Sequence, residues 1–384
     1  MYFTNNEYDK EIYFWNVIMK KLLILANSDS AIFKFRTELI EELSKHFQIG
    51  IGIPFGIYMS EIRNNKYEFF DIQINRHGLN PIEDSKLLLR YFKLIKRFQP
   101  DVVLQYTIKP NIYGSIACAM NGVPCLCNIT GLGTAVETPG ILQKMLILMY
   151  KVAMKKVHTI FFQNTHGLDF FKQHRLGSNS QYCLLPGSGV NLNRFVPIPY
   201  PNDKIVRFVF VARIIKEKGI EEYLYAAERF KSEGYDAEFY ICGACEEKYE
   251  ERLKDLNERG IIIYKGLVKD MREIYKTMSC VVLPSFYPEG QSNVLLEGAA
   301  SCRPLITTDH PGCREAVDDG VTGLLVKKQD AEDLYDKMLQ MYQMTVNKRK
   351  EMGLAGRAKI EREFDRQIVI QKYLERIKML KLMA

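Results

Sequence analysis

Short apolar runs recur along this chain, and the gaps between most of them hold amphipathic stretches. In the first half the runs are KLLILAN (21–27), IGIGIP (49–54), FFDIQI (69–74), DVVLQY (101–106), PCLCNI (124–129), TIFFQN (159–164) and QYCLLP (181–186), with helical spacing in 32–46, 84–98 and 141–157. Strands this short and apolar on both faces belong in a parallel sheet covered by helices. Residues 186–201 then gather Pro186, Gly187, Gly189, Pro197, Pro199 and Pro201, which reads as a linker. Beyond it the pattern restarts with RFVFVA (207–212), AEFYICG (237–243), IIIYKG (261–266), CVVLPS (280–285), PLITTD (304–309) and GLLVKK (323–328). The chain is helical from about 330, and 364–383 reads as a long terminal helix returning to the first domain. The expected fold is α/β, with two Rossmann-like, doubly wound domains facing a cleft. The domains are expected at 19–186 and 204–363, joined by a linker at 187–203 and followed by a helix at 364–384. Ligands of such sheets bind outside the carboxyl ends of the strands.

Composition narrows the class. With 384 residues, 47% of them hydrophobic and including 21 Phe and 22 Tyr, the chain can fill two cores, so disorder is excluded. No uninterrupted apolar run reaches the roughly 18 residues of a membrane span. Nine cysteines, an odd number, without a basic and apolar leader point to a reducing compartment. Cys242-Gly-Ala-Cys245 has redox-type spacing but reads as a strand end followed by a turn, and Cys125 and Cys127 read as small core residues. No second well-spaced pair suggests zinc. Residues 1–18 (MYFTNNEYDKEIYFWNVI) look foreign to the fold and read as an extension. The net charge of +7 lies wholly in residues 1–200, which hold 22 basic and 15 acidic side chains. A basic half calls for an anionic neighbour such as nucleic acid, phospholipid or a phosphorylated substrate.

Two segments carry the chemistry. In PEGQSNVLLEGAASCRPLITT (288–308), Ser292 or Asn293 can cap a helix running to about Cys302. Glu289 then lies in the preceding loop and Glu297 more than one turn into the helix, so the two cannot form a close carboxylate pair. The free N–H groups and positive dipole end at 291–294 suit a phosphate, and Gly290 allows close backbone approach. In FVFVARIIKEKGIEEYL (208–224), Arg213 ends a strand and Lys218 stands five residues later. An Arg fork and a Lys point charge at the mouth of a parallel sheet can clamp a diphosphate.

These residues carry a resemblance. Arg213, four residues, Lys218, and then Glu289, seven residues, Glu297 are similar to the pattern of the family 4 retaining glycosyltransferases, which have the two-domain GT-B fold. The resemblance runs from about 159 to 328, through LLPGSGVNLNRFVP (184–197), GLVKDMREIYKTMSCVVLPS (266–285) and CREAVDDGVTGLLV (313–326). QYTIKPNIYGSIACAMNGVPCLCNITGLG (105–133) resembles the acceptor domain of bacterial members that build capsule, O-antigen and protein-linked glycans on lipid carriers. The resemblance implies catalytic roles for Arg213 and Lys218 at the diphosphate of a nucleotide sugar and for Glu289 at the transferred sugar. It implies that Glu297 holds the ribose, that Gly290, Gln291, Ser292, Asn293 and Val294 contact sugar and phosphate, and that Gly266 and Val268 lie near the base.

Retention comes from the family as well. No Asp-x-Asp occurs, so no metal and no cofactor is expected, and the protein's cations stand in for a bridging metal. The sequence departs from the family in NITGLG (128–133), where members often carry a His, and in ANSDSAIFKFR (26–36), where many carry a Gly-rich loop. Thr130, Gly131 and Lys109, with Lys34 behind them, are the acceptor-side candidates; Lys109 reads equally as a plain surface charge. His310 reads as a loop residue.

The expected partners are a nucleotide sugar, with UDP as the expected carrier, a polyprenyl-diphosphate-linked saccharide and an anionic membrane surface, with no nucleic acid. The expected location is cytoplasmic, on the inner face of the membrane. Residues 138–168 hold no Asp or Glu, and ILQKMLILMYKVAMKKV (141–157) reads either as a core helix with a basic outer face or as an interfacial helix. The rival readings are a nucleotide-sugar 2-epimerase of the same fold, a two-domain sugar-binding protein and a nucleic-acid binder.

Overall fold

The structure is a computed structural model and describes residues 19–62, 66–75, 80–133, 136, 138–202, 204–245 and 247–383. The extension expected at 1–18 lies outside the described residues. The strands are β1 (Lys21–Leu25), β2 (Gln48–Ile53), β3 (Glu68–Asp71), β4 (Val102–Tyr106), β5 (Cys125–Ile129), β6 (Thr159–Phe162), β7 (Tyr182–Leu184), β8 (Val206–Val211), β9 (Ala237–Cys242), β10 (Ile263–Gly266), β11 (Cys280–Leu283), β12 (Leu305–Thr308) and β13 (Gly323–Val326). They form two parallel sheets, in the orders β3-β2-β1-β4-β5-β6-β7 and β10-β9-β8-β11-β12-β13. Each sheet starts in its middle, winds one way and then reverses, which is the doubly wound arrangement expected. The helices used below are α1 (Pro81–Phe98), α2 (Ile141–Ala153), α3 (Thr165–Gln173), α4 (Ile220–Ser232), α5 (Asn293–Ala300) and α6 (Arg366–Lys378).

The chain forms two compact units. One holds the described residues up to Cys127, with 156–158 and the segment from Leu374 onward; the other holds 128–155 and 159–373. The boundary expected at the proline-rich linker follows the strand count of each sheet, whereas these units follow packing, so β6 and β7 group with the second sheet.

In the first unit β1 pairs with β2 and β4, with Leu22 opposite both Ile49 and Val102. Leu22, Leu23, Ile24 and Leu25 are all buried. This two-sided burial explains why the strand reads as a continuous apolar run rather than an alternation. Helix α1 starts where Asn80 accepts from the N–H groups of Ile82 and Glu83, with Pro81 in the first turn.

In the second unit β8 is the central strand, flanked by β9 and β11. The linker is fastened to this core by buried polar side chains. Arg303 donates to the carbonyls of Tyr275 (2.7 Å), Pro199 (2.8 Å) and Ile198 (3.2 Å), while Tyr200 donates to Ser279 O (2.9 Å) and accepts from Arg349 (3.0 Å). Burial lowers the Arg303 pKa to about 10, so it stays charged at neutral pH. Helix α6 returns to the first sheet as expected. Tyr373 lies against Phe161 of β6 with ring centroids 4.2 Å apart and meets Asn128 of β5, and Lys372 donates to Leu184 O at 2.7 Å.

Replacing Arg303 with Met keeps the bulk but strands buried carbonyls without donors. A loss of about 2–4 kcal/mol of stability is expected, read as a lower urea midpoint at unchanged slope.

Candidate active site

The second sheet reverses direction between β8 and β11, so the loops leaving these two strands emerge side by side. After β8 the chain passes exposed Arg213, makes a short 3-10 turn at Lys216–Lys218, and enters α4 through Gly219. Gly219 has φ +81°, and a Cβ there would sit 2.3 Å from Pro284 O on the neighbouring loop, so no side chain fits. After β11 the chain runs through Ser285, Tyr287 and Glu289 into α5. The two loops are stitched by Phe286 N–H donating to Glu217 O (2.9 Å) and by Ser285 Oγ donating to the same carbonyl (3.4 Å).

This places Lys218 Nζ in an ion pair with Glu289 Oε1, with side chains 12% and 14% exposed. Ser285 Oγ also lies 3.4 Å from the same carboxylate oxygen, so its one proton is shared between Glu289 and Glu217 O. The Tyr287 ring lies 4.8 Å from Lys218 Nζ and 5.6 Å from the Arg213 guanidinium, so both cations lie against the same aromatic ring. An ammonium has three N–H donors, so Lys218 can hold Glu289 and still serve an anion.

The Glu289–Gly290 backbone is clamped from the other side. Asn164, the N-cap of α3, donates through Nδ2 to the carbonyls of Glu289 (2.9 Å) and Gly290 (2.7 Å). A Cβ on Gly290 would lie 2.4 Å from both Thr130 O and Gln163 Oε1, so this glycine is required by the packing of the protein itself. Gly131 packs against Pro288 O. Ser292 N–H donates to Gly312 O (2.8 Å), and Ser292 takes the N-cap position of α5 without a side-chain cap bond. The first turn of α5 holds no carboxylate, and the buried Gln291 carboxamide and Asn293 Oδ1 have no protein partner. An uncapped helix start with unpaired amide groups suits an anionic or hydroxyl-rich ligand.

The remaining candidates fall around this centre or apart from it. Glu297 is half-buried one turn inside α5, and its charge adds to the burial that pushes the Tyr275 phenol well up. Val294 and Val268 pack on the second core. Gly266 has φ +64° and accepts from Gly243 N–H at 2.8 Å. Lys109 belongs to the first unit, where it pairs with Asp84 at 2.7 Å, both side chains largely buried. Lys34 lies 5.3 Å from the Tyr58 ring in the same unit. His310 is half-buried, burial lowers its pKa, and Nε2 has no protein partner. Sequence reading missed Asn164, Ser285, Tyr287 and Gly312. Asn164 stands 125 positions before Glu289, and only its place between strand and helix marked it, as an ordinary cap.

Comparison with known proteins identifies the class. The group "Glycosyl transferases group 1" matches residues 206–344, and "Glycosyl transferase 4-like" matches residues 21–164. The chain belongs to the family 4 glycosyltransferases and is a glycosyltransferase. It is 24% identical over 370 residues, 91% of this chain and 96% of the relative, to the N,N'-diacetylbacillosaminyl-diphospho-undecaprenol alpha-1,3-N-acetylgalactosaminyltransferase of Campylobacter jejuni. It is 26% identical over 284 residues, 69% of this chain and 72% of the relative, to the UDP-Gal:alpha-D-GlcNAc-diphosphoundecaprenol alpha-1,3-galactosyltransferase of Escherichia coli. Among solved structures, Anabaena Alr3699/HepE in complex with UDP and glucose superposes with a TM-score of 0.77 at 14% identity, over 94% of this chain and 100% of that one. The fold is GT-B.

Removing one partner of the Lys218–Glu289 pair leaves a half-buried charge alone. Lys218→Met is expected to cost about 1–3 kcal/mol, between the values for exposed and buried pairs. Lys218→Met/Glu289→Gln should recover part of that loss, and a double-mutant cycle by urea denaturation measures the coupling.

Proposed function

We propose that this glycosyltransferase moves a sugar, with retention of anomeric configuration, from a nucleotide diphosphate sugar to a polyprenyl-diphosphate-linked saccharide in surface polysaccharide or glycan assembly. The observation that carries the reading is the cluster of Arg213, Lys218 and Glu289 at the strand-order reversal, beside the uncapped start of α5. The leaving group is a nucleoside diphosphate, whose phosphates gain charge as the bond to the anomeric carbon breaks. Arg213 and Lys218 stabilise that charge, and the first N–H groups of α5, from Asn293 onward, add a dipole. Preorganised cations do here what a bridging metal does elsewhere, so the proposal includes neither metal nor cofactor.

Glu289, held by Lys218 and Ser285, positions hydroxyls of the transferred sugar. Glu297, on α5, accepts from the ribose hydroxyls. A front-face displacement, in which the departing phosphate takes the acceptor proton, needs no protein nucleophile. UDP as the carrier is supported by the UDP-Gal donor named for the Escherichia coli relative and by the UDP in the Anabaena structure. The undecaprenyl-linked substrates named for two relatives support the lipid-linked acceptor and a peripheral position on the inner membrane face. No helix among the described residues is long and apolar enough to cross a membrane.

The test incubates the protein with UDP-sugars and short-chain polyprenyl-diphosphate saccharides, with and without excess chelator. Transfer with an unchanged anomeric coupling constant in the product, surviving chelation, is the expected result. Loss of transfer on chelation with rescue by magnesium or manganese would refute metal independence, and conversion of the UDP-sugar without acceptor would point to an epimerase.

Arg213→Ala and Lys218→Ala should each remove about 2–4 kcal/mol of transition-state stabilisation, read from kcat/KM. Glu297→Ala should weaken UDP itself, whereas Glu289→Ala should slow transfer more than it weakens UDP. Calorimetric titration with UDP separates the two, and equal losses of UDP affinity contradict the division of roles.

A further inference from the structure

Helix α2 turns Leu146, Tyr150 and Ala153 into the protein. At 3.6 residues per turn, Ile141, Met145, Leu148 and Val152 form a single stripe on the opposite side. These four side chains are 88%, 41%, 62% and 53% exposed, and Leu142 beside them is 43% exposed. A core helix with a basic outer face would put its lysines there; instead its outward face is apolar, and exposed Lys144 and Lys151 run along one flank. Contiguous apolar side chains standing in water mark an interaction surface.

Charge identifies what covers it. Lys151 and Lys155 line an open crevice of about 380 Å³ together with Arg175, Gly177, Ser178 and Gln181. Gln181 Nε2 donates to Met154 O (3.1 Å) and so fixes this crevice to the end of α2. A second crevice shares Arg175, Gly177 and Ser178 and adds Lys172, and no carboxylate lines either one. Between residues 138 and 202 the sequence holds seven Lys and Arg but a single carboxylate, Asp169. An apolar stripe bordered by basic side chains that line an open crevice matches the boundary of an anionic bilayer, where acyl chains meet headgroup phosphates.

We infer that α2 and the Lys151–Lys155–Arg175 crevice form a docking site for an anionic phospholipid membrane. The stripe enters the acyl boundary and the crevice takes a headgroup phosphate. The site serves the membrane-borne acceptor proposed above and rests on that reading for its purpose, while its existence is measurable without any transfer reaction.

The experiment uses the full chain in vesicle flotation, with phosphatidylcholine alone or mixed with phosphatidylglycerol. Wild type should float with the mixed vesicles, less so as salt rises. Lys151→Glu/Lys155→Glu/Arg175→Glu should weaken flotation at least about tenfold, since each basic residue near an anionic leaflet contributes measurably. Met145→Ser/Leu148→Ser should weaken it with every charge intact. Both variants alter exposed positions, and an unchanged melting temperature confirms that they fold. Equal flotation with both vesicle types, or undiminished flotation of the charge variant, overturns the site. So does release by inorganic phosphate at matched ionic strength, which would make free phosphate the ligand. A dimer of wild type that Leu148→Ser dissolves, with no vesicle binding, assigns the stripe to a second copy and likewise overturns it. A UDP-induced thermal shift on the same samples separates the two readings: flotation without the shift counts against the transferase site alone, and the shift without flotation counts against the docking site alone.

Discussion

The adjacency of β8 and β11 is the constraint on which the site depends. Because the second sheet begins at β8 and changes direction there, the loops after these two strands are neighbours although some seventy residues separate them. Hydrogen bonds from the 285–286 backbone and hydroxyl to Glu217 O close the gap, and the Lys218–Glu289 ion pair forms across it. A Lys with a carboxylate on one N–H has a fixed position before any ligand arrives. In the proposed transfer, that preorganisation spares reorienting the cation from water while charge develops.

The second constraint is backbone crowding around Glu289 and Gly290. Asn164 holds both carbonyls, and Thr130 and Gln163 leave no room for a side chain on Gly290. These contacts aim the chain into α5 with its first N–H groups uncapped. A carboxylate in that first turn would satisfy the helix dipole from within the chain, and none is present. Glu297 lies farther along, where the helix itself sets its direction.

Buried arginines do comparable work away from the site. Arg303 and Arg349 fasten the proline-rich linker to the second core through carbonyls and the Tyr200 hydroxyl. Their charges are tolerated because each is surrounded by acceptors, which compensates the desolvation that lowers the Arg303 pKa. The linker composition announced a boundary, yet the compact units divide elsewhere, since β6 and β7 pack with residues that follow the linker.

The sequence by itself determined the two sheets and the returning terminal helix, and it named Arg213, Lys218 and Glu289, which the fold gathers around Tyr287 and one ion pair. Each rests on short-range physics: apolar runs that must be buried on both faces, an Arg and a Lys that need an anion, and a helix start that offers free N–H groups. The glycosyltransferase family was legible as a resemblance, carried by four charged residues on two strand–loop–helix segments and by the stretches at 184–197, 266–285 and 313–326. Only the tertiary structure decided that Lys218 is shared with Glu289, that Asn164 clamps the adjoining backbone, that Lys109 is committed to Asp84, and that α2 turns an apolar stripe outward. All four are pairings or orientations across the fold. Periodicity tells which residues of a helix share a side, but only packing tells which side meets the core, and hydrogen bonds between positions far apart in the chain leave no mark in local sequence.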